Sequence, residues 1–197
     1  MEKLLFATNN THKLAEVRQI LQERCALISL AEAGVQSNPV EDAPTLEGNA
    51  LIKVRDAHRL SQLPTIADDT GLEVEALDGA PGVYSARFAG EHATFEENVA
   101  LLLERLQGVP APRRACFRTV IALIDEYGAL FFEGAVNGEI TLERSGDHGF
   151  GYDPVFRPEG CQQTFAELSS EEKNAMSHRG RAVQRLARYL HALPLDE

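Results

Sequence analysis

The N-terminal segment constrains the fold most strongly, because it combines an apolar run, a polar turn and a helical pattern. Residues 3–7 form the apolar run, which ends in the polar sequence Thr8-Asn9-Asn10-Thr11. Apolar residues then recur at positions 14, 17, 20 and 21, at the spacings of three and four that mark one face of a helix. The segment therefore predicts a strand, a turn and a helix in succession.

Helices and one short strand are also predicted further along the chain. A helix beginning near Thr45 would present Asn49, Lys53 and Asp56 on its polar side, at i, i+4 and i+7. Residues 65–67 resemble a short buried strand that leads directly into a pair of adjacent aspartates. Capping-box sequences begin at positions 94 and 169, and each predicts the start of a helix; a further helix is expected after position 177.

The second half of the chain has a stronger β character than the first. Two β-type runs cover 116–124 and 130–136, and the dipeptide Asn137-Gly138 predicts a tight hairpin into a strand over 139–142. Together with the helical segments, this meander predicts an α/β or α+β fold with a mixed central β-sheet flanked by helices. We expect a single domain over residues 1–197, built from two lobes with an active-site cleft between them.

Overall charge and cysteine content exclude several classes of protein. The formal net charge is −11, which disfavours nucleic acid as a partner because a nucleic-acid-binding surface is normally basic. The three cysteines are widely spaced and match no zinc motif, so we expect reduced thiols in a cytoplasmic protein. The N-terminus does not resemble a secretory signal, and no apolar stretch approaches the ~20 residues of a membrane span.

Three groups of residues could bind a phosphorylated ligand. The loop from Thr8 to Lys13 would place backbone N–H groups and an ammonium at a helix N-terminus, which suits an anion, although its polar side chains could instead simply cap the helix. Asp68 and Asp69 are adjacent on an extended segment, so their side chains should point in opposite directions. One of them could then hold Mg²⁺ and orient a water, with Glu41-Asp42 as a further ligand source.

Aromatic and basic residues complete this set in the last quarter of the chain. Phe150-Gly151-Tyr152-Asp153 places two aromatic rings, which can stack on a base, and one carboxylate on a glycine-containing loop. Lys173 and the pair His178-Arg179 concentrate basic side chains in an acidic chain. Each feature also has a purely structural explanation, but together they match a nucleoside triphosphate.

Several longer motifs resemble one family along nearly the whole chain. They are FATNNTHKLAEV, EGNALIKVRDA, PTIADDTGLEVEALDGAPGVYSARFAG, GFGYDPVF and EEKNAMSHRGRA, in that order. The chain is thereby similar to the inosine/xanthosine triphosphate pyrophosphatases, the Ham1-like nucleotidases. The resemblance implies hydrolysis of non-canonical purine nucleoside triphosphates to monophosphate and pyrophosphate, with Mg²⁺ as cofactor and a homodimer as the assembly.

The resemblance also implies a role for individual residues. Asp69 would be the general base and, with Glu41, a magnesium ligand, while Asp68 lies close by. The triphosphate would be bound by Lys53 and by the loop Thr8-Asn9-Asn10-Thr11-His12-Lys13, with Thr70 nearby. Phe150 and Tyr152 would flank the base beside Gly151, and Asp153 would read the edge of the base. Lys173, His178 and Arg179 would complete the pocket, the last two near the 6-oxo group.

Two alternatives stay open at this stage. A nucleotide-binding sensor would share most of these residues but would not hydrolyse its ligand. A related nucleotide pyrophosphatase would catalyse the same reaction with a different base preference. Turnover separates the first alternative from an enzyme, and a panel of substrates separates the second.

Overall fold

The computed structural model describes residues 3–21 and 25–192, which form five α-helices and seven β-strands. The helices are α1 (Thr11–Leu21), α2 (Leu46–Ser61), α3 (Phe95–Arg105), α4 (Ser170–Met176) and α5 (His178–Ala192). The strands are β1 (Lys3–Phe6), β2 (Ala26–Ser29), β3 (Thr65–Val74), β4 (Pro81–Gly82), β5 (Arg114–Asp125), β6 (Gly128–Ile140) and β7 (Phe156–Pro158).

The strands form one mixed sheet in the order β2-β1-β3-β5-β6-β7, and β4 pairs with β3. Strand β1 is parallel to β2 and to β3, whereas β4 is antiparallel to β3 and β7 is antiparallel to β6. The parallel part comprises strands that are separated by helices, as parallel connections require. The prediction of an α/β fold with a mixed sheet flanked by helices is confirmed.

The chain divides into two compact units, and the long strands β3, β5 and β6 run through both of them. The first unit comprises 1–69, 119–134 and 179–197. Its strand β1 is buried on both faces: Leu4 and Phe6 pack in one core cluster with residues of α1 and α5, and Leu5 packs in another with residues of α2. The alternation of side chains along a strand explains why neighbouring residues join different clusters.

The second unit comprises 70–118 and 135–178 and has a core of its own. Phe117, Phe156 and Phe165 form its aromatic centre, with ring centroids 4.7–6.3 Å apart. Leu102 and Leu106 add the apolar side of α3 to this core. The Phe117–Phe156 pair is edge-to-face, and all three rings contribute large buried areas, so this cluster is the packing centre of the unit.

The predicted helix starts are confirmed. The side chain of Thr45 accepts a hydrogen bond from the Gly48 amide and caps α2. Thr94 and Ser169 form complete capping boxes with the glutamates three residues later, and these cap α3 and α4. Each cap satisfies amide groups that have no partner within the helix, which is why these short local patterns are reliable.

Two predictions about the strands were wrong. Strand β3 does not end before the aspartates but continues through them to Val74. The predicted hairpin at Asn137-Gly138 is absent, because β6 runs uninterrupted from Gly128 to Ile140. A Cβ at Gly138 would lie 2.4 Å from the Arg157 carbonyl oxygen, so this glycine permits close approach to β7 and does not form a turn. The turn lies between β5 and β6, where the Tyr127 amide donates to the Asp125 carboxylate.

Within the described residues, the three cysteines are free thiols, as predicted. None of the helices described is both long enough and apolar enough to cross a membrane.

Candidate functional site

One cluster of charged side chains in the first unit is centred on Asp68, near the middle of β3. The Asp68 carboxylate accepts a hydrogen bond from the Lys13 ammonium at 3.1 Å and from Arg179 Nε at 3.3 Å. Arg179 also forms an ion pair with Glu16 of α1, and its side chain is almost completely buried. Helices α1 and α5 thus each bring a cation to the same carboxylate. Arg179 and Asp68 are 111 residues apart in the chain.

A second cluster in the first unit is centred on the Lys53 ammonium of α2. Its Nζ lies 2.6 Å from Glu41 Oε2 and 2.9 Å from Asp69 Oδ1. Asp68 and Asp69 therefore have different lysine partners, as the opposite directions of adjacent side chains on a strand predict. Among the residues predicted from the sequence, the structure brings Glu41, Lys53 and Asp69 into direct contact.

The polar side of α2 positions the segment that carries Glu41. The Ala43 amide donates to Asn49 Oδ1 at 3.0 Å, and Ser37 Oγ donates to Asp56 Oδ2 at 2.7 Å. The two contacts lie on either side of Glu41 along the chain, so both ends of its segment are attached to one helix. Asn49 Nδ2 is also 3.4 Å from Asp69 Oδ2.

Asn49 and Glu16 belong to the site but were not among its predicted residues. The i, i+4, i+7 spacing had placed Asn49 on the polar side of α2 together with Lys53, and this signal could have identified it. No comparable signal existed for Glu16, because its contact with Arg179 joins residues 163 positions apart.

Burial and charge act in opposite directions on these groups. Burial alone would raise the pKa of Asp68, but the positive charges of Lys13 and Arg179 outweigh it and hold that pKa well below its usual range. At Asp69, burial outweighs the charges of Lys53 and Lys13, and the pKa is raised. Asp68 is therefore a fixed anion that organises cations, whereas Asp69 is the more basic carboxylate of the two.

The pKa values of Lys13 and Lys53 are also shifted in opposite directions. Burial lowers the pKa of Lys13, although the Asp68 carboxylate works against this effect. Burial also acts to lower the pKa of Lys53, but Asp69 and Glu41 outweigh it and raise that pKa above the usual value. The two carboxylates thus keep Lys53 protonated, so its ammonium group is a permanent positive charge.

The start of α1 favours the alternative in which the polar side chains of the Thr8–Lys13 loop cap the helix. The amides of His12 and Lys13 donate to Asn10 Oδ1 at 3.0 and 3.2 Å, so the Asn10 side chain caps the helix. The Asn10 amide in turn donates to Thr8 Oγ1 at 3.1 Å. These two first-turn amides are therefore engaged by Asn10 and are not available to an anion in this conformation. Thr11 and His12 are exposed, and Asn9 Nδ2 lies 3.4 Å from the Ser37 carbonyl oxygen.

The donor set around Lys53 fits the magnesium ion that the family resemblance implies. Glu41 and Asp69 offer hard carboxylate oxygens, and both already face one cation, the Lys53 ammonium. Mg²⁺ is usually held by one or two protein carboxylates together with substrate phosphates. Among the residues described, no group of three or more His, Cys, Asp or Glu side chains that could hold a metal ion occurs.

In the second unit, the predicted base-binding loop is organised by the Asp153 carboxylate. Asp153 Oδ2 accepts hydrogen bonds from the Lys173 ammonium at 2.6 Å and from the Phe150 amide at 2.8 Å. The Lys173 ammonium also lies 5.0 Å from the centroid of the Phe150 ring, within cation–π range. A Cβ at Gly149 would lie 2.1 Å from Asp153 Oδ2, so only glycine permits this approach.

Two of the predicted base-binding residues lie in the core of the second unit. The Tyr152 ring is 5% exposed and its hydroxyl donates to the Ser85 carbonyl; burial raises its pKa. The His178 ring stacks on Phe117, with centroids 4.5 Å apart and planes 11° apart. Contact of either ring with a base stays a prediction. Thr70 is half-buried and directly follows Asp69 on β3.

Two cavities lie beside these clusters or apart from them. A cavity of about 510 Å³ in the first unit is lined by Asn9 and by residues 30–31 and 34–38. A cavity of about 780 Å³ in the second unit is lined by Cys116, Cys161 and parts of β3, β5, β6 and β7, and by none of the predicted site residues. The predicted chemistry thus lies in the charged and aromatic clusters and not in the cavity of the second unit.

Comparison with known proteins places these clusters in a family context. The model of the Ham1 family matches residues 4–189. The chain is 56% identical to a dITP/XTP pyrophosphatase from Porphyromonas gingivalis and 45% identical to one from Flavobacterium johnsoniae, in both cases over 96% of this chain and 98% of the relative.

Solved structures give the same result at the level of the fold. A HAM1 protein from Coxiella burnetii superposes with a TM-score of 0.89 and 40% identity, covering 98% of this chain and 100% of that one. The Ham1 protein of Staphylococcus aureus superposes with a TM-score of 0.86 and 38% identity, covering 96% and 98% of the two chains. With the family model and the relatives agreeing over nearly the whole length, the chain belongs to the Ham1 family.

Proposed function

We propose that this protein is a nucleoside triphosphate pyrophosphatase that removes non-canonical purine nucleotides, such as inosine and xanthosine triphosphates, from the nucleotide pool. The observation that carries the proposal is the network of Glu41, Lys53 and Asp69 in a chain 56% identical to a dITP/XTP pyrophosphatase. That network combines a basic carboxylate with a cation and a second carboxylate, which are the groups that hydrolysis of a phosphoanhydride requires.

Asp69 is the general base of the proposed reaction. Of the two adjacent aspartates, it is the one at which burial outweighs the neighbouring positive charges and raises the pKa, whereas Lys13 and Arg179 hold Asp68 as an anion. It takes a proton from a water molecule, whose oxygen forms the new bond to the α-phosphorus. The bond between the α-phosphorus and the bridging oxygen breaks, and pyrophosphate leaves in one step.

The cations of the first unit stabilise the negative charge of the triphosphate. Lys13 and Lys53 are each held by carboxylates, which keeps their ammonium groups in place before the substrate arrives. Bound by Glu41 and Asp69, Mg²⁺ would supply further charge neutralisation of the phosphate oxygens. The charged groups of the first unit carry an excess of negative charge, which favours binding of a divalent cation. The three cations are Lys13, Lys53 and Arg179, and their four carboxylate partners are Glu16, Glu41, Asp68 and Asp69.

The purine base contacts Phe150 in this proposal. Its ring is half-buried on the loop organised by Asp153 and Lys173, so one part of it stays available for stacking. Selectivity for a 6-oxo purine would arise from donors that face the oxygen, for which His178 and Arg179 are the candidates. Adenine carries an amino group at that position and would leave such donors unpaired, which is a large penalty at a buried site.

A substrate panel tests the proposed function directly. Purified protein with Mg²⁺ is assayed with the triphosphates of inosine, xanthosine, adenosine, guanosine and thymidine, and pyrophosphate and orthophosphate are measured separately. We expect pyrophosphate release that strongly favours inosine and xanthosine, and a smaller preference for inosine over adenosine in His178→Ala. Orthophosphate release would contradict attack at the α-phosphorus, and tight binding without turnover would identify a sensor.

We further propose a cytoplasmic homodimer. The nucleotide pool on which such an enzyme acts is cytoplasmic, and the meander of β5 and β6 offers an assembly surface. Tyr127 and Phe131 on this meander are 62% and 46% exposed and would contribute apolar area to such an interface. Sedimentation equilibrium measures the assembly: a single species with the monomer mass at micromolar concentration would contradict the dimer.

A further inference from the structure

A second phenylalanine contacts the ring of Phe150. Phe95 is the first residue of α3, and its ring centroid lies 5.8 Å from that of Phe150 with the two planes 45° apart. This is a favourable tilted geometry for an aromatic pair. Phe95 is 37% exposed, so much of its ring is not covered by the core of its own unit. Its place in a capping-box sequence did not indicate a function.

Two glycines in the left-handed conformation flank Phe150 on its loop. Gly149 and Gly151 flank the ring and have φ angles of 75° and 62°, a conformation that glycine adopts readily. Contacts that position the ring include the hydrogen bond from the Phe150 amide to Asp153, the Lys173 ammonium near the ring, and the ring of Phe95. The first two involve groups already assigned to the site, whereas Phe95 is an additional contact.

The start of α3 holds Phe95 itself in place. Thr94, immediately before it, caps the helix, and the Glu97 carboxylate accepts hydrogen bonds from the amide and the hydroxyl of Thr94. Asn98, one turn further on, accepts a hydrogen bond from the Ala89 amide at 2.8 Å and donates to the Ala86 carbonyl at 3.1 Å. A ring at the first position of so firmly anchored a helix is a rigid support for a ring on a glycine-flanked loop.

We propose that Phe95 is a positioning residue that holds the Phe150 ring in the orientation in which it stacks on the purine base. The inference rests on the proposed function, because it assumes that Phe150 contacts the base. Phe95 would then contribute to binding of the nucleoside part of the substrate and not to the chemistry at the phosphate. It would act by restricting the rotation of the Phe150 side chain before the base binds, so that less side-chain freedom is lost on binding.

The test compares Phe95→Ala, Phe95→Leu and Phe150→Ala. We expect Phe95→Ala to raise the KM for inosine triphosphate roughly three- to tenfold with kcat nearly unchanged, in line with the loss of one aromatic contact. Phe95→Leu, which keeps apolar bulk, should recover part of the loss. The inhibition constant of inosine monophosphate should rise with the KM, whereas that of pyrophosphate, which has no base, should not change.

Leu60→Ala is the matched control, because it shortens an exposed apolar side chain on α2 in the first unit. It should leave both inhibition constants unchanged, and thermal unfolding of every variant confirms that it is folded. If Phe150→Ala raises the KM but Phe95→Ala does not, the positioning role is wrong and the base site stands. If neither variant changes the KM, the assignment of Phe150 to the base is wrong as well.

Discussion

Asp69→Asn should lower the rate of pyrophosphate release by about a thousandfold, or about 4 kcal/mol in activation free energy. The substitution keeps the shape of the side chain but removes the carboxylate that would accept the proton from water. Lys53 and Asn49, which contact Asp69, would remain in place, so binding of the nucleotide should change much less than turnover. Single-turnover kinetics measures the chemical step, and calorimetry with the same variant measures the affinity.

Asp78→Asn is the matched control for this experiment. Asp78 is exposed, and its φ of 52° is one that asparagine tolerates, so the same chemical change is made outside the charged clusters. Its rate should stay within a factor of two of the unmodified protein. A tenfold or smaller loss in Asp69→Asn would mean that another group activates the water.

Lys173→Met should lower the free energy of unfolding by about 3–5 kcal/mol, because it leaves the Asp153 carboxylate buried without its cation. The side chains of Lys173 and Asp153 are only 5% and 4% exposed, and their charged atoms are 2.6 Å apart. Two further contacts would be lost, since the ammonium lies 5.0 Å from the Phe150 ring and 5.9 Å from the Phe165 ring. Urea denaturation, with the slope compared between variants, gives the change in stability.

An exposed ion pair in the same protein provides the control. Arg59→Met removes the partner of Asp56 on the surface of α2, where Arg59 is 68% exposed, and should cost at most about 1 kcal/mol. The double variant Lys173→Met with Asp153→Leu should recover part of the stability, because neither charge is then buried alone. Equal effects of Lys173→Met and Arg59→Met would show that burial does not determine the value of the Lys173–Asp153 pair.

Features that depend on residues close together in the sequence were predicted better than features that depend on distant residues. The helix starts at Thr45, Thr94 and Ser169 were predicted correctly, because a cap involves residues only three positions apart. The hairpin prediction at Asn137-Gly138 was wrong because it also used only neighbouring residues, and these did not suffice there. An asparagine followed by glycine marks a turn, but glycine is equally required where two strands approach closely, and only the position of β7 distinguishes the two cases.

By itself, the sequence determined the class of fold, the acidic character, the family motifs and the alignment of Asn49, Lys53 and Asp56 on one side of α2. The tertiary structure decided which charges meet: Lys13 with Asp68, Lys53 with Asp69 and Arg179 with Asp68, over separations of 55, 16 and 111 residues. It also placed the Tyr152 ring in a core, although its motif suggested a role at the base. The physical reason is that the spacing of residues along one element is a local property, whereas burial and ion pairing depend on which elements pack together.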